Sequence, residues 1–398
     1  MTSAGRFAAL LDGLPRDIPA LAAVGQGLLL HEHMARGYGV TLSEEDRSSV
    51  HTRPVEELLA QIVARDSRPL DVARPPELRL PGNCRHFTVL MTAMLRAQGT
   101  PARARCGFGG YFGTGTFEDH WVCEYWHAEQ QRWRLVDAQI DKVQLGWFDI
   151  DFDLTDVPRD RFLIGGDAWA RYRSGAADPG RFGLSLIGET GDWWIAANLM
   201  RDAAALLNME LLPWDCWGAM PGPDDPIGPE LAALFDRLAA LTQAPDAALE
   251  DLRQLCDDER LRVPPEVRNA ARGRLERVLW DRWACLAQGG SLTGHATSPH
   301  AGHVRRGGQG EDPGQRVGRV AGMLEVHRQR AARGRPQPYR VEMLAHREVT
   351  HPVVKPERPG AGPCRQVEQV DRRQVHPVRA QHLLDVVRLQ RLLGQEQA

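Results

Sequence analysis

Residues 81–97 read PGNCRHFTVLMTAMLRA and combine a turn with the start of an amphipathic helix. The turn ends at Asn83, and apolar side chains recur at helical spacing from Cys84 to Ala97. Cys84 is therefore predicted to lie in the first turn of a helix. There the unpaired backbone N–H groups and the positive end of the helix dipole favour a thiolate over a thiol.

Strands are predicted to follow this helix. Residues 102–106 alternate in polarity, and residues 120–126 and 132–137, rich in aromatic and β-branched side chains, are separated by a short polar link that is typical of a hairpin. The length of the link places His120 and Asp137 at the same end of the hairpin. An imidazole and a carboxylate so placed can hydrogen-bond, which holds one imidazole tautomer for general-base work.

Four blocks of this region, in this order, resemble the core of the transglutaminase-like superfamily: Gly82-Asn83-Cys84-Arg85-His86-Phe87, Gly99-Thr100-Pro101-Ala102-Arg103, Asp119-His120-Trp121-Val122 and Trp133-Arg134-Leu135-Val136-Asp137. The resemblance implies an α+β, papain-like core in which a helix bearing the cysteine packs on an antiparallel sheet bearing the histidine and the aspartate, with flanking helices. It also implies roles: nucleophile for Cys84, general base and then acid for His120, and orienting carboxylate for Asp137.

Two departures from the family pattern concern tryptophan. Trp121 follows His120 directly, where many members have a small residue before the tryptophan. No tryptophan upstream of Cys84 can supply the oxyanion donor that the animal cross-linking enzymes use. The oxyanion site is therefore unassigned beyond the backbone N–H of Cys84.

The function expected from these residues is acyl transfer from an amide substrate through a thioester on Cys84. The substrate is a peptide, a protein or a small amide, and the sequence leaves open whether water or an amine resolves the thioester. Residues 107–115 predict a glycine-rich flap whose Tyr111 and Phe112 cover the substrate, and Trp121 is a further candidate substrate contact.

Two alternative functions stay open. The first is a transglutaminase-like domain without activity that binds a peptide or protein in its cleft. The second is an arylamine N-acetyltransferase, which uses the same three residue types in the same order. The chain lacks the arginine and paired glycines that precede the cysteine in those acetyltransferases, so this interpretation ranks lower.

Charge and aromatic content divide the chain near residue 287. Residues 286–398 hold 18 Lys and Arg against 10 Asp and Glu, whereas residues 1–285 hold 31 against 42, and Tyr339 is the one aromatic residue after Trp283. We expect an N-terminal helical segment at 1–70, a catalytic domain at 71–225, a helical subdomain at 226–287 and a disordered basic tail at 288–398. The ratio of 47 arginines to 2 lysines also fits a shifted reading frame in the tail.

Composition argues against several other kinds of protein. No apolar run is long enough to span a bilayer, and seven irregularly spaced cysteines fit reduced thiols, so a cytoplasmic protein without membrane contact is expected. The formal charge of -3 and the lack of interleaved aromatic residues in the tail disfavour nucleic-acid binding. No cofactor is expected, and oligomeric state is not predicted.

Three further features have modest interpretations. His31-Glu32-His33 is assigned to a helix surface or interface and not to a metal site, because alternate residues of a helix do not face each other. The aspartates of residues 146–161 are assigned to a solvated loop rather than a cation site. Other helices are predicted at Ala8–Leu14, Ile18–Gly37, Pro54–Asp66, Phe162–Arg173, Asp192–Leu212, Pro229–Leu241, Pro245–Leu261 and Pro264–Leu286.

Overall fold

Helices and strands alternate along the part of the chain that the computed structural model describes, residues 1–148 and 150–278. The α-helices are α1 (Ile18–Leu28), α2 (Glu44–Ser48), α3 (Val55–Arg65), α4 (Cys84–Ala97), α5 (Gly165–Arg173), α6 (Asp192–Leu206), α7 (Pro229–Gln243) and α8 (Pro245–Cys256). The strands are β1 (Leu29–His31), β2 (Leu80–Gly82), β3 (Ala102–Gly109), β4 (Phe117–His127), β5 (Arg132–Val136), β6 (Phe162–Ile164), β7 (Phe182–Leu184), β8 (Glu189–Thr190), β9 (Asp215–Cys216), β10 (Glu266–Asn269) and β11 (Arg274–Arg277).

The predicted helix at residues 84–97 is confirmed as α4. Its first twelve residues are all buried, because α1 and α3 lie on one side of it and the main sheet lies on the other. The entry to the helix is held by the side chain of His86, whose Nδ1 lies 3.1 Å from the backbone nitrogen of Asn83 and accepts its N–H. A helix that is buried on every side is the type that forms the centre of a domain.

The main sheet has the strand order β6-β3-β4-β7-β8, with β5 also paired to β4. Strands β3 and β4 pair antiparallel over eight residues, and β4 and β5 form the predicted hairpin. On its other edge β4 pairs with β5 at residues 123–127 and with β7 at residues 117–118. Within the described chain, residues 119–122 therefore have no strand partner on that edge, and His120 lies in the resulting gap.

The two faces of the sheet are covered differently. Residues such as Cys123 and Tyr125 contact the core around α4, whereas Phe108 contacts the core that includes α5 to α8. Val122 and Leu135 face the opposite side and pack under the loop that contains Ile140 and Val157. Helices thus cover one face and loops the other, and the expected α+β architecture is confirmed.

Several predicted element boundaries are wrong. The helix expected at residues 18–37 ends at Leu28, because Leu29–His31 pair in parallel with Leu80–Gly82. The helix expected at residues 264–286 is replaced, as far as residue 278, by the antiparallel strands β10 and β11 around a turn in which Gly273 has φ +66°. Val267 is the buried apolar residue of this hairpin, so its sequence has too few apolar positions to cover a helix.

The predicted start of the glycine-rich flap at residue 107 is also wrong. Residues 107–109 belong to β3, where a Cβ on Gly107 would lie 2.0 Å from the carbonyl oxygen of Leu163 on β6. This glycine permits two strands to approach and does not mark a loop. The loop itself comprises residues 110–116. The predicted domain boundaries stay predictions, and the basic tail at 288–398 lies outside the described residues.

Candidate active site

Cys84 is the first residue of α4, so its backbone N–H has no acceptor within the helix. The side chain is 7% exposed. The neighbouring Arg85 is fully buried and donates to the backbone carbonyls of Thr52, Arg53 and Glu210. These contacts fix the first turn of the helix against two distant segments of the chain and thereby fix the position of the thiol.

His120 lies on β4 in the gap between β5 and β7. Its Nε2 is 2.8 Å from Oδ2 of Asp137, the residue that follows β5. The side chain of Cys84 also acts on this ring and helps to raise its pKa, and since Asp137 engages Nε2, Nδ1 is the nitrogen left for the thiol. The predicted pairing of histidine and aspartate at one end of the hairpin is therefore present.

Burial and charge act in opposite directions on the two groups. Burial disfavours a charged imidazole, but the charge and hydrogen bond of Asp137 and the hydrogen bond with Cys84 outweigh it and raise the pKa of His120 to about 10. Burial would also raise the pKa of Asp137, yet His120 and Tyr111 hold it below its ordinary value. The pair is thus a buried imidazolium and carboxylate at neutral pH.

Asp137 receives two further hydrogen bonds. The hydroxyl of Tyr111 donates to Oδ2 at 2.8 Å, and the backbone N–H of Gln139 donates to Oδ1 at 3.0 Å. With His120 these donors use both carboxylate oxygens and leave no freedom to rotate. The arrangement holds the imidazole in one orientation, which is what a general base facing a thiol requires.

Residues 56–138 of the chain match the family model described as the Transglutaminase-like superfamily. The chain carries a transglutaminase-like domain. The match includes Cys84, His120 and Asp137, together with most of the main sheet. Comparisons of the chain with curated proteins and with solved structures gave no match.

The two aromatic residues of the predicted flap differ in position within the transglutaminase-like domain. Tyr111 is 4% exposed and its hydroxyl donates to Asp137, so most of the surface of Tyr111 is not available to a substrate. Phe112 is half-buried, and its ring centroid lies 5.0 Å from that of His120. The contact between Tyr111 and Asp137 had no sequence signal, because 26 residues separate them and neither belongs to a shared motif.

Trp121 lies on the side of β4 opposite His120. It is 1% exposed and packs with Cys84, Cys106 and Ala205 beneath the start of α4. Its indole Nε1 is buried and has no hydrogen-bond partner in the described part of the chain. Trp121 thus packs against Cys84 inside the fold, which distinguishes it from a side chain that lines an open cleft.

Other sequence candidates take structural positions. Cys123 is buried as predicted, and Glu124 is buried among arginines. Of the acidic loop, Asp153 caps the backbone N–H of Thr155, and Asp156 pairs with Arg132; Asp149 lies outside the described residues. Among residues 1–148 and 150–278 no cluster of three or more metal-ligating side chains occurs, and no helix has the length and apolar character to span a bilayer.

The assignment of His31 to a helix surface was wrong. Pairing of β1 with β2 places His31 opposite Gly82, two residues before Cys84, and only 8% of His31 is exposed. The error arose because residues 18–37 were predicted as one helix. Such a helix would carry His31 outward, whereas the short parallel strand Leu29–His31 turns it toward the core. The apolar run Leu28-Leu29-Leu30 was the signal that could have identified this strand.

Proposed function

We propose that the transglutaminase-like domain catalyses acyl transfer from an amide or ester through a thioester on Cys84, in the manner of a cysteine amidase or protease or of a transglutaminase-type transferase. The observation that supports this most strongly is the position of His120, whose Nε2 lies 2.8 Å from Asp137 Oδ2 and whose pKa is also raised by the side chain of Cys84. A buried histidine with a structural role alone would not require a thiol at a helix terminus as its second partner.

In the proposed reaction the proton of Cys84 already lies on the imidazolium of His120, and the thiolate sulfur attacks the acyl carbon. The tetrahedral intermediate collapses as the C–N or C–O bond breaks, and His120 returns the proton to the leaving amine or alcohol. Water or an amine then attacks the thioester while His120 takes its proton. That proton stays on the imidazolium as the C–S bond breaks, so the thiolate and the enzyme are regenerated.

Two N–H groups beside Cys84 are candidates for the oxyanion donors. Among the described residues, the backbone N–H of Cys84 has no acceptor because it begins the helix, and the buried indole N–H of Trp121, which packs with the same residue, has none either. A buried donor without an acceptor is costly, and the oxyanion of the intermediate would satisfy it. The proposal therefore assigns Trp121 to the oxyanion site.

Asn83 is the other unpartnered amide nearby, and its environment argues against this role. Burial lowers the pKa of His86 well below its ordinary value, so the ring is neutral, and its Nε2 must donate to the Thr52 carbonyl 3.1 Å away. Nδ1 then accepts the backbone N–H of Asn83 and has no proton to give to Asn83 Oδ1, which lies 2.8 Å from it, so the side-chain amide has to be turned to present its nitrogen there. In that orientation the nitrogen is engaged by Nδ1.

The test is alkylation of the full chain by iodoacetamide at pH 7, followed by intact-mass and peptide analysis. We expect Cys84 to react at least ~10-fold faster than the other cysteines and this advantage to vanish in His120→Ala, because thiolate formation needs the imidazole. Equal labelling of several cysteines would overturn the proposal and favour a binding domain without activity.

A second measurement addresses the oxyanion donor. With p-nitrophenyl acetate as acyl donor, Trp121→Phe should reduce turnover by about 10²-fold, the usual effect of losing one such donor. Alkylation of Cys84 forms no oxyanion, so its rate should change little. Equal loss in both reactions would show that Trp121 only supports the packing under Cys84.

A further inference from the structure

A cavity of about 440 Å³ lies between the start of α3 and the β10–β11 hairpin. Its volume falls in the range of roughly 300–1,000 Å³ that small-molecule sites occupy. The charged side chains that line it are Arg53, Arg272, Arg274, Arg277, Glu57 and Glu276, and none of them belongs to the triad. Four guanidinium groups and two carboxylates around one space leave an excess of two positive charges, which attracts anions.

Glu276 is the carboxylate on which three of these arginines meet. Its Oε2 accepts from Nη2 of Arg53 at 2.9 Å, and Arg53 also pairs with the buried Asp215. Its Oε1 accepts from Nη1 of Arg272 and from Nε of Arg274, each at 3.0 Å. Arg272 and Arg274 thus share a single carboxylate oxygen, and one negative charge does not neutralise two guanidinium groups.

His51 also lines the cavity and adds a neutral N–H donor. Burial and the charge of Arg272 lower the pKa of His51 to about 4, and the opposing charge of Glu276 does not offset them. The imidazole is therefore uncharged at pH 7. Its Nδ1 lies 3.1 Å from the side-chain amide nitrogen of Asn269, whose oxygen in turn accepts the backbone N–H of Arg272. Because Nδ1 accepts from this amide, the imidazole proton is on Nε2.

The two arginines that share Glu276 combine access with a fixed position. The side chains of Arg272 and Arg274 are 31% and 63% exposed, so an anion from the solvent can reach them. Gly273 lies between them at φ +66°, in the turn that brings both side chains to Glu276. A guanidinium group has five N–H donors, so each arginine can bind Glu276 and also donate to an anion that bridges the pair.

We propose that Arg272, Arg274 and His51 form a binding site for a phosphate dianion, either inorganic phosphate or the phosphoryl group of a small phosphate monoester. A phosphoryl group carries a charge of about −1.5 to −2 at pH 7, which matches the excess positive charge of the cavity better than one carboxylate does. Its oxygens can accept together from two guanidinium groups and one imidazole N–H. The site is separate from the triad and does not depend on the proposed acyl transfer.

The site is tested by isothermal titration calorimetry of the full chain at pH 7 and low salt, because added ions screen such contacts. The probes are inorganic phosphate, phenyl phosphate and, as a carboxylate with the same ring, benzoate. We expect saturable binding of phosphate and phenyl phosphate with Kd below ~5 mM, and binding of benzoate at least ~5-fold weaker than that of phenyl phosphate. Tighter binding of phenyl phosphate than of phosphate would identify a monoester as the ligand, and binding no tighter would identify the free anion.

Two pairs of variants locate the binding in this cavity. Arg274→Gln should raise the Kd for phosphate at least ~5-fold, whereas Arg253→Gln, at an exposed arginine that also pairs with a glutamate, should change it less than ~2-fold. Glu57→Gln removes a negative charge from the lining and should lower the Kd at least ~2-fold. Its control is Glu56→Gln, because the neighbouring Glu56 pairs with Arg6 instead, and the Kd should stay the same.

Opposite changes in Kd for Arg274→Gln and Glu57→Gln cannot come from a general loss of folding, since that would weaken binding in both variants. Absence of saturable binding, benzoate binding as tight as that of phenyl phosphate, or equal effects of a variant and its control would each overturn the site. The measurement involves no reaction at Cys84. It therefore decides the phosphate site whether or not the proposed acyl transfer is correct.

Discussion

Two buried ionic clusters occupy the same side of strand β4, four residues apart. One contains Arg105 and Glu124, which are 1% exposed, with Asp202 from α6. The other contains His120 and Asp137, which are 2% exposed. Both place opposite charges in an apolar interior, where an unpaired charge is strongly unfavourable.

The clusters differ in the groups that surround their charges. Arg105 donates from Nε and both terminal nitrogens to Asp202, Glu124 and the Thr242 carbonyl, at 2.8 to 2.9 Å. Glu124 also pairs with Arg103 and Arg159. In the other cluster Asp137 is fully engaged, but His120 has one nitrogen directed at Cys84.

On this basis we propose that the first cluster holds α6 and the loop before β6 on the sheet, and that the second places Nδ1 of His120 at the thiol of Cys84. The contrast leads to four predictions, ordered by the size of the expected effect.

Replacement of His120 by alanine should reduce turnover of p-nitrophenyl acetate by roughly 10²–10⁴-fold, because general acid–base catalysis contributes about that much. The measurement is steady-state release of p-nitrophenol, with Cys84→Ala as the blank. Residual turnover within ten-fold of the wild type would mean that His120 belongs with the structural cluster.

Replacement of Arg105 by methionine should lower the free energy of unfolding by about 3–5 kcal/mol, since it leaves Asp202 and Glu124 buried without their main partner. Urea unfolding followed by tryptophan fluorescence measures this change. Arg159→Met is the matched control, because Arg159 binds the same Glu124 from an exposed position and should contribute less than ~1 kcal/mol. Similar losses in the two variants would contradict the idea that the contribution of Arg105 depends on its burial.

The pH dependence of stability should distinguish the clusters. The pKa of His120 is raised from its ordinary 6.5 to about 10, so its pairing with Asp137 stabilises the fold fully below about pH 6.5 and less as pH rises toward 10. In a Cys84→Ala background, the stability difference caused by His120→Gln should shrink by about 1.5–3 kcal/mol over that range. The difference caused by Arg105→Met should stay constant over the same pH range. Burial alone would lower the pKa of Arg105, but Asp202 and Glu124 raise it above its ordinary value, so the guanidinium stays charged.

Replacement of Tyr111 by phenylalanine should reduce turnover by about 10-fold, or 1.4 kcal/mol, because Asp137 loses one of its donors and orients His120 less firmly. Tyr125→Phe is the matched control, because it removes a comparable hydroxyl. That hydroxyl donates to the Thr155 carbonyl over 3.1 Å and lies away from Cys84, His120 and Asp137, so turnover should not change. A loss in both variants would indicate a general effect on the sheet.

The sequence predicted those parts of the fold that depend on local order. The bounds of α4, the β4–β5 hairpin and the pairing of His120 with Asp137 follow from helical spacing, strand composition and the length of one link, all of which act over fewer than twenty residues. The resemblance to the transglutaminase-like superfamily, and not local order, is what grouped Cys84 with His120 and Asp137 before any contact was known.

Tertiary structure alone decided what surrounds them. The gap in the edge of β4, the support of Asp137 by Tyr111, the burial of Trp121 under Cys84 and the return of His31 to the nucleophile all join residues far apart in the chain. Such contacts depend on how whole elements pack, and a short window of sequence contains no information on its distant partners. The chain by itself thus determined the helix and the hairpin that carry Cys84, His120 and Asp137, and packing determined which distant residues surround them.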